Sequence, residues 1–157
     1  MSDTIMNAMD AVYGSLAECY ITIDGSRYNM MSLTEFSSEF AVSITEVPIM
    51  GKVGMGHKPA GGKGTWSGTA HYNQSILRRM ADQYQKTGVL PYFEIQMTNE
   101  DPSSSVGAQT ILLHDCLCEK FTLAKFKAGE EILDEELSGT FESWDMPREF
   151  DPLDGMQ

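Results

Sequence analysis

The sequence predicts a mainly β protein, in which two packed antiparallel sheets form a sandwich or barrel with one flanking α-helix and a long β-hairpin. Apolar and polar residues alternate along several short segments, which is the pattern of half-buried strands. Only one segment has apolar residues at helical spacing. Turn-forming residues separate the segments at short intervals. About seven strands and one helix follow, and this arrangement favours an antiparallel architecture.

Length and composition indicate a single domain. The chain has 157 residues, of which 41% are hydrophobic, so we expect one folded domain over residues 1–157. It has no apolar run long enough to cross a membrane as a helix, and its first residues lack the basic start and apolar stretch of a signal peptide. We therefore expect no membrane insertion. The net charge of −12 disfavours nucleic-acid binding through phosphate neutralisation.

The first part of the chain contains an N-terminal arm and a short hairpin. The apolar residues of segment 1–16 fit one helical face, but Gly14 and the short length make a free helix marginal. An arm that lies on another subunit is the equal alternative. Residues 17–23 predict a strand, Asp24-Gly25 is a strong turn signal, and residues 28–31 resume the strand pattern.

A long hairpin is predicted next, around a glycine-rich loop at 47–64. Strict alternation occupies both flanks, at Phe36 to Thr45 and at Thr65 to Tyr72. The loop itself has six glycines, and its only fixed charges are three lysines. A loop of this length is either a mobile surface segment or an arm that becomes ordered against a neighbour. The rigid flanks favour the second interpretation.

One helix follows the hairpin. Asn73 is the predicted N-cap, and Gly88 is the predicted left-handed residue at the C-terminal end. Apolar residues between Ile76 and Tyr84 form a stripe that we expect to pack on the core. Arg78 and most other polar residues of the segment are expected on the opposite face.

The rest of the chain is predicted to be mostly strands. Phe121 and Phe126 are out of phase, which indicates a bulge. Residues 146–157 contain two prolines and are predicted to form an irregular C-terminal tail. The predicted strands are 91–98, 108–113, 116–127 and 137–144, with a turn-rich loop at 99–107 and an acidic turn at 128–136.

Charge is distributed unevenly along the chain. Residues 130–157 contain ten acidic residues and one base, Arg148, whereas residues 47–81 contain five lysines and arginines and no acid. If the two regions lie at opposite ends of the folded body, one molecule can attract another head to tail. Contacts of that kind build rings or open filaments. A solvated acidic tail is the simpler alternative.

Motifs for catalysis or cofactor binding are not found. The segment Gly62–Thr65 resembles the end of a phosphate loop, but it lacks the first glycine and the hydroxyl residue that the motif needs. His114, Cys116 and Cys118 would share one face of a strand, yet a structural zinc site needs a fourth ligand and Cys19 is the only other thiol. Buried apolar cysteines are the favoured interpretation. We therefore predict no enzyme, no cofactor and no metal site.

Residues 86–105, KTGVLPYFEIQMTNEDPSSS, resemble the tail tube proteins of contractile-tailed phages. Similar proteins occur in the defective prophages of Gram-positive bacteria and in R-type bacteriocin particles. The resemblance continues through residues 109–113, the acidic segment 130–136 and the ending at 147–155. It covers most of the chain from Asp24 onward.

The resemblance implies a structural role. Hexameric rings would stack into a hollow tube inside a contractile sheath, and strands of neighbouring subunits would continue one sheet around the lumen. The implied partners are further copies of the chain, the sheath protein, baseplate or initiator proteins and tail terminator proteins, with DNA only in transit. Assembly would take place in the bacterial cytoplasm, and the final location would be a virion or a tail-like particle.

The resemblance also implies two functional surfaces on the hairpin. Its small, hydroxyl-rich face becomes the candidate lumen lining, which comprises Ser37, Glu39, Ser43, Thr45, Thr65, Ser67, Thr69 and His71. The loop at 47–64 becomes the candidate inter-ring stacking loop, whose contact residues are Pro48, Ile49, Met50, Lys52, Val53, Met55, His57, Lys58 and Lys63.

Two alternative functions remain open at this point. The first is the tube component of a related contractile secretion or injection system, which would have the same architecture and a different cargo. The second is a monomeric β-barrel that binds a small ligand.

Overall fold

The computed structural model describes residues 5–153. These residues form eight β-strands and one α-helix, and a single 3₁₀ turn at Ala8–Asp10 precedes them. The predicted mainly β class with one helix is confirmed. The elements are β1 Ala17–Ile23, β2 Ser26–Asn29, β3 Leu33–Val47, β4 Gly56–His71, α1 Ile76–Thr87, β5 Phe93–Glu100, β6 Ala108–Lys120, β7 Asp134–Phe141 and β8 Ser143–Arg148.

The eight strands form one antiparallel path with two halves. Hydrogen-bonded neighbours follow the order β2-β1-β5-β6-β7-β4-β3, and β8 pairs with β6. β6 belongs to both halves, because its residues up to Cys116 pair with β5 and its residues from Leu117 to Lys120 pair with β7. The second half-sheet therefore consists of the end of β6, β7, β4 and β3. The path is not closed within one chain.

Aromatic residues join the two halves in the core. Trp66 of β4 contacts Phe93 of β5 edge to face, with ring centroids 6.0 Å apart. Phe36 of β3 stacks on the Trp66 ring, with ring centroids 6.2 Å apart. Helix α1 adds the buried side chains of Leu77 and Met80. The first part of the predicted stripe thus packs on the core, whereas Tyr84 at its end is 54% exposed.

The predicted long hairpin is confirmed as the pair β3–β4. Its register runs from Leu33 opposite Ala70 to Val47 opposite Gly56, with two bulges. At the second bulge two residues of β4 oppose one of β3, and Gly61 has a φ of +95°. Only glycine adopts this backbone conformation readily, and such bulges increase the local twist of a hairpin.

The hairpin loop is shorter than predicted. β4 begins at Gly56, so only residues 48–55 of the predicted loop at 47–64 are irregular. The glycines at 62 and 64 belong to the strand because aromatic rings occupy the space beside them. A Cβ added at Gly62 would lie 2.4 Å from the ring of Phe40, and one at Gly64 would lie 2.5 Å from the ring of Phe141. Glycine content alone wrongly indicated a loop here.

Helix α1 begins later than predicted and ends where predicted. Ser75 is the N-cap residue, so the predicted cap at Asn73 is wrong. Gly88 has a φ of 75° and its N–H donates to the carbonyl of Tyr84 at 2.8 Å. This is the left-handed helix end that the sequence predicted.

The C-terminal strands differ from the prediction in two ways. β6 is one strand where two were predicted, because the residues between the two predicted strands, His114 and Asp115, form a bulge within it. The segment 121–133 that follows β6 is irregular. β8 extends through Pro147 to Arg148 into the predicted tail. Proline is tolerated there because, within residues 5–153, β8 pairs with a single strand, β6. Residues 154–157 of the predicted tail lie outside the described residues.

The N-terminal arm lies on the loop at 101–105, and its first four residues lie outside the described part of the chain. It contains the 3₁₀ turn, a second turn at Gly14 and Ser15, and no α-helix, so the helical alternative is wrong for residues 5–16. The carboxylate of Asp10 accepts hydrogen bonds from the N–H and the hydroxyl of Ser105, and these bonds lower the pKa of Asp10. Asp101 accepts from the N–H of Tyr13 at 3.0 Å.

Candidate functional site: the hairpin arm and the polar sheet face

The β3–β4 hairpin extends beyond the rest of the sheet. β4 pairs with β7 only as far as Gly64, which lies opposite Phe141. Beyond that point residues 41–63, which we call the arm, pair only with each other among the described residues. A two-stranded ribbon without further packing is marginally stable in water. Contacts with a second surface would therefore stabilise the arm.

One face of the arm is apolar and uncovered. At its base, Phe40 packs on Trp144 of β8 with ring centroids 4.7 Å apart. Further out, about half of the surface of Val42 and Ile44 is exposed. At the tip, Met50 and Val53 are fully exposed. Uncovered apolar surfaces of this kind are typical of contact sites with other proteins.

The structure divides the predicted stacking residues between the tip and β4, and all of them are exposed. The tip contains Pro48, Ile49, Met50, Lys52, Val53 and Met55, and β4 contains His57, Lys58 and Lys63. All nine lie on the arm.

Six of the eight predicted lumen residues lie on the face of the second half-sheet that is opposite to the core, and the other two, Ser43 and Thr45, lie on the arm. Ser37 lies across from Ser67, and Glu39 lies across from Thr65. β7 extends this polar face, because four of its residues lie beside polar partners on β4. These pairs are Asp134 with His71, Glu136 with Thr69, Ser138 with Ser67 and Thr140 with Thr65. Sequence reasoning missed the β7 residues, although their period-two alternation was readable.

Hydrogen bonds and carboxylates define the chemistry of the polar face. The hydroxyls of Ser37 and Ser67 are 3.3 Å apart. His71 Nδ1 lies 2.9 Å from Asp134 Oδ1, and Lys120 forms an ion pair with Glu136 at 3.2 Å. Such a face is hydrated, and its carboxylates repel phosphate groups.

Arg78 connects the helix to the strands behind the polar face. Its guanidinium donates to Glu135 of β7 at 2.6 Å and to the carbonyls of Thr122 and Gln74. It also lies over the ring of Tyr72, 4.5 Å from the ring centroid. Both side chains of the ion pair are largely buried. The sequence had suggested that Arg78 is a solvent-facing residue, and this is wrong.

A second polar cluster surrounds His114 at the β6 bulge. Its Nδ1 lies 3.1 Å from Glu94 Oε1 on β5, and its Nε2 lies 2.7 Å from Asp145 Oδ2 on β8. The hydrogen bonds to Asp145 and then to Glu94 raise the pKa of His114 above its usual value. The imidazole of His114 therefore links three strands, β5, β6 and β8.

The cysteines are buried apolar residues, as favoured by the sequence. Burial raises the pKa of Cys19 and Cys116 to about 12 and that of Cys118 to about 11, so all three remain protonated thiols. Within residues 5–153 no group of three histidine, cysteine or acidic side chains is arranged to hold a metal ion. Over the same residues, no helix is both long and apolar enough to span a membrane.

Comparison with known proteins identifies the class. Residues 4–148 match the family described as phage tail tube protein. The chain therefore belongs to this family, and the resemblance found in the sequence is confirmed. It is a structural subunit of a tail tube and not an enzyme.

Individual relatives agree with this assignment. The chain is 30% identical over 142 residues to the phage-like element PBSX protein XkdM of Bacillus subtilis strain 168. The aligned residues cover 90% of this chain and 94% of that protein. In fold it is similar to a chain of the anti-feeding prophage baseplate, with a TM-score of 0.64 and 12% identity over 93% of this chain and 97% of the other. The fold is also similar to that of the SPP1 tail tube, with a TM-score of 0.62 and 12% identity. That match covers 90% of this chain and 81% of the other.

Proposed function

We propose that this chain forms hexameric rings that stack into the inner tube of a contractile phage tail or phage-tail-like particle, and that the arm joins one ring to the next. The arm itself is the observation that supports this proposal most directly. It leaves the body as an unsupported ribbon with an uncovered apolar face and three lysines. Packing on the adjacent ring would cover that face and place the lysines near the acidic surface of another copy.

The unpaired edges of the second half-sheet support the proposed ring. The two lateral edges of this half-sheet are β3 on one side and the last residues of β6 on the other, and neither has a further strand partner among residues 5–153. Unpaired edges are normally protected or joined to another strand. Edge-to-edge continuation between copies would close a barrel with the polar face, including its carboxylates, towards the lumen. That lining would let DNA or solutes pass without binding.

The proposed partners follow from this arrangement. They are further copies of the chain, a sheath protein around the tube, and baseplate and terminator proteins at its ends. Solved neighbours include a chain of the anti-feeding prophage baseplate and one of its tube-terminating cap. Assembly would take place in the bacterial cytoplasm. We favour a phage or phage-like particle over an injection system because the relative at 30% identity belongs to a phage-like element.

The test removes the tip and keeps the hairpin. Val47 and Gly56 are directly paired across the hairpin, so an Asn-Gly turn can replace residues 48–55 without changing the register. The expected result is a subunit that folds normally but does not elongate seeds of wild-type tube. Tube length in negative-stain electron micrographs is the measurement. Tubes of normal length would contradict the role of the arm.

A second variant separates apolar contact from loop length. Replacement of Ile49, Met50, Val53 and Met55 by serine keeps the length of the tip and removes its apolar surface. The matched control is Val89→Ser, which changes a valine that is 56% exposed outside the arm. We expect short or absent tubes for the first variant and normal tubes for the control.

A further inference from the structure

The loop between β6 and β7 carries a second exposed apolar feature, which lies away from the arm. Phe126 is 89% exposed and Leu123 is 68% exposed. Lys125 and Lys127 flank the phenylalanine, and the sequence contains no acid from Phe121 to Gly129. We call residues 123–127 the knob.

Hydrogen bonds hold the base of the knob in place. Arg78 donates to the carbonyl of Thr122 at 3.3 Å, and Tyr72 donates to the carbonyl of Leu123 at 3.4 Å. Lys125 Nζ donates to the carbonyl of Asp134 at 2.5 Å. An aromatic side chain on an anchored loop loses little conformational freedom on binding, which is typical of residues that contribute strongly to interfaces.

A groove of complementary character lies elsewhere on the same chain. It occupies about 760 Å³ between the start of β3 and the strands β1 and β5. Its apolar lining includes Met31, Leu33, Phe36 and Met97, its acids are Glu18 and Glu35, and no lysine or arginine lines it in the described part of the chain. Met31 is 79% exposed beside it. The groove thus combines an apolar surface with negative charge, whereas the knob combines an apolar tip with positive charge.

The two features lie at opposite edges of the second half-sheet. The knob follows directly after the last residues of β6, which form one edge. The groove includes residues 33–36 of β3, which forms the other edge. If copies continue the sheet edge to edge, the knob of one copy comes beside the groove of the next.

We infer that the knob of one subunit inserts Phe126 into the acid-lined groove of a neighbouring copy in the same ring. The contact is heterologous, because each copy offers a knob on one side and a groove on the other, and such contacts can close into a ring. Lys127 would lie close to Glu18 and Glu35, while Lys125 stays bonded to the Asp134 carbonyl of its own chain. This inference rests on the proposed ring and adds the side chains that join its subunits.

Cysteine cross-linking tests the contact directly. The double variant Met31→Cys with Phe126→Cys is expected to give a ladder of covalent multimers under mild oxidation, because each copy links to two neighbours. Each single variant links two copies at most and is the matched control. The three native cysteines are buried. Assembled tubes in which the double variant gives no ladder would overturn the inference and would assign the knob to another partner, such as the surrounding sheath.

Charge reversal provides an independent test. Lys127→Glu is expected to raise the subunit concentration needed for assembly roughly tenfold, and Glu18→Lys in the same chain is expected to restore much of the loss. The same concentration requirement for all three proteins would contradict the contact. Thermal unfolding of the monomers confirms that each variant folds.

The outcomes distinguish this inference from the proposed function. If the unmodified chain never elongates tube seeds, the proposed function fails, and a ladder from the double variant in concentrated solution still supports the knob contact. If tubes form but neither the cross-link nor the charge rescue is observed, the knob contact alone is overturned.

Discussion

Gly139 lies on β7 where the backbone of β6 and the indole of Trp66 both approach. A Cβ at this position would lie 1.9 Å from the carbonyl oxygen of Leu117 and 2.8 Å from the Trp66 ring. Because the nearest atom belongs to the backbone, the strands themselves would have to move. We expect Gly139→Ala to lower the free energy of unfolding by about 3 kcal/mol, measured by urea denaturation of the monomer.

The matched control is Gly54→Ala at the tip of the arm. No atom lies within 4 Å of a Cβ added there, so this variant is expected to unfold at the wild-type urea concentration. Equal stability of the two variants would show that β6 and β7 are not as closely packed as described.

The His114 cluster predicts a pH dependence of stability. Its carboxylate partners on β5 and β8 raise the pKa of His114 above the usual 6.5. The cluster therefore stabilises the fold fully below pH 6.5, and this contribution is lost as the pH rises through the elevated pKa of the folded state. The difference in unfolding free energy between wild type and His114→Gln should therefore become smaller as the pH rises from 6.5 through the elevated pKa of His114.

A histidine outside the cluster provides the control for this experiment. His57→Gln removes an exposed imidazole from β4 and controls for the loss of a histidine outside the cluster. A pH-independent difference for His114→Gln would exclude a linkage between protonation of the cluster and folding.

At the scale of elements, Arg78 joins α1, β7 and the start of the 121–133 segment. Arg78→Met would leave the carboxylate of Glu135, which is only 7% exposed, without its partner. Removal of one partner of a buried ion pair is strongly destabilising, and we expect a loss of about 3 kcal/mol. The double variant with Glu135→Leu should recover much of this loss because it removes the unpaired charge.

Arg79→Met tests whether the effect is specific to the buried arginine. Arg79 is the exposed neighbour on the same helix, and its replacement is expected to change stability by less than about 0.5 kcal/mol. Chemical denaturation followed by circular dichroism measures all three variants. If Arg78→Met were as stable as Arg79→Met, the ion pair would not anchor the helix.

Elements with regular alternation could be predicted from the sequence, and elements shaped by their neighbours could not. Alternation from Phe36 to Ile44 predicted the hairpin because apolar side chains lie on one face of β3 and small polar ones on the other, although Val42 and Ile44 are left uncovered on the arm. The strand at 56–64 was missed because its glycines serve to accommodate Phe40 and Phe141, which depends on cross-strand register. β8 was missed because Pro147 normally excludes a strand unless only one side is paired.

The candidate site was predictable to the same extent. The hydroxyl-rich face and the exposed tip follow from local pattern, and both are present on the hairpin. The contribution of β7 to the polar face, the burial of Arg78 and the His114 cluster depend on which strands become neighbours. Sequence spacing contains no direct record of these contacts between distant segments.

At the scale of the whole molecule, two electrostatic effects oppose each other during assembly. A net charge of −12 per chain makes subunits repel, whereas the arm has three lysines and a single acid, Glu46. Salt screens both effects beyond about 8 Å at physiological ionic strength. Close contacts between the arm and an acidic neighbour are screened less than the repulsion between whole subunits. Wild-type elongation should therefore tolerate moderate salt.

Reversing the charge of the arm distinguishes local attraction from overall repulsion. Lys52, Lys58 and Lys63 replaced together by glutamate change the net charge from −12 to −18, because each of the three exchanges adds two negative charges. In the control, glutamate replaces Arg27, Arg79 and Lys86, which are exposed and lie outside the arm. The control therefore has the same net charge as the arm variant.

If the arm lysines contact an acidic surface of the adjacent ring, the arm variant must lose more elongation than the control at equal net charge. The difference should be greatest at low salt, where the new repulsion at the contact is least screened. Elongation rates from wild-type seeds across a salt series provide the measurement. Equal losses in the two variants would mean that only total charge matters, and an elongation rate of the arm variant that is independent of salt would exclude the electrostatic contact.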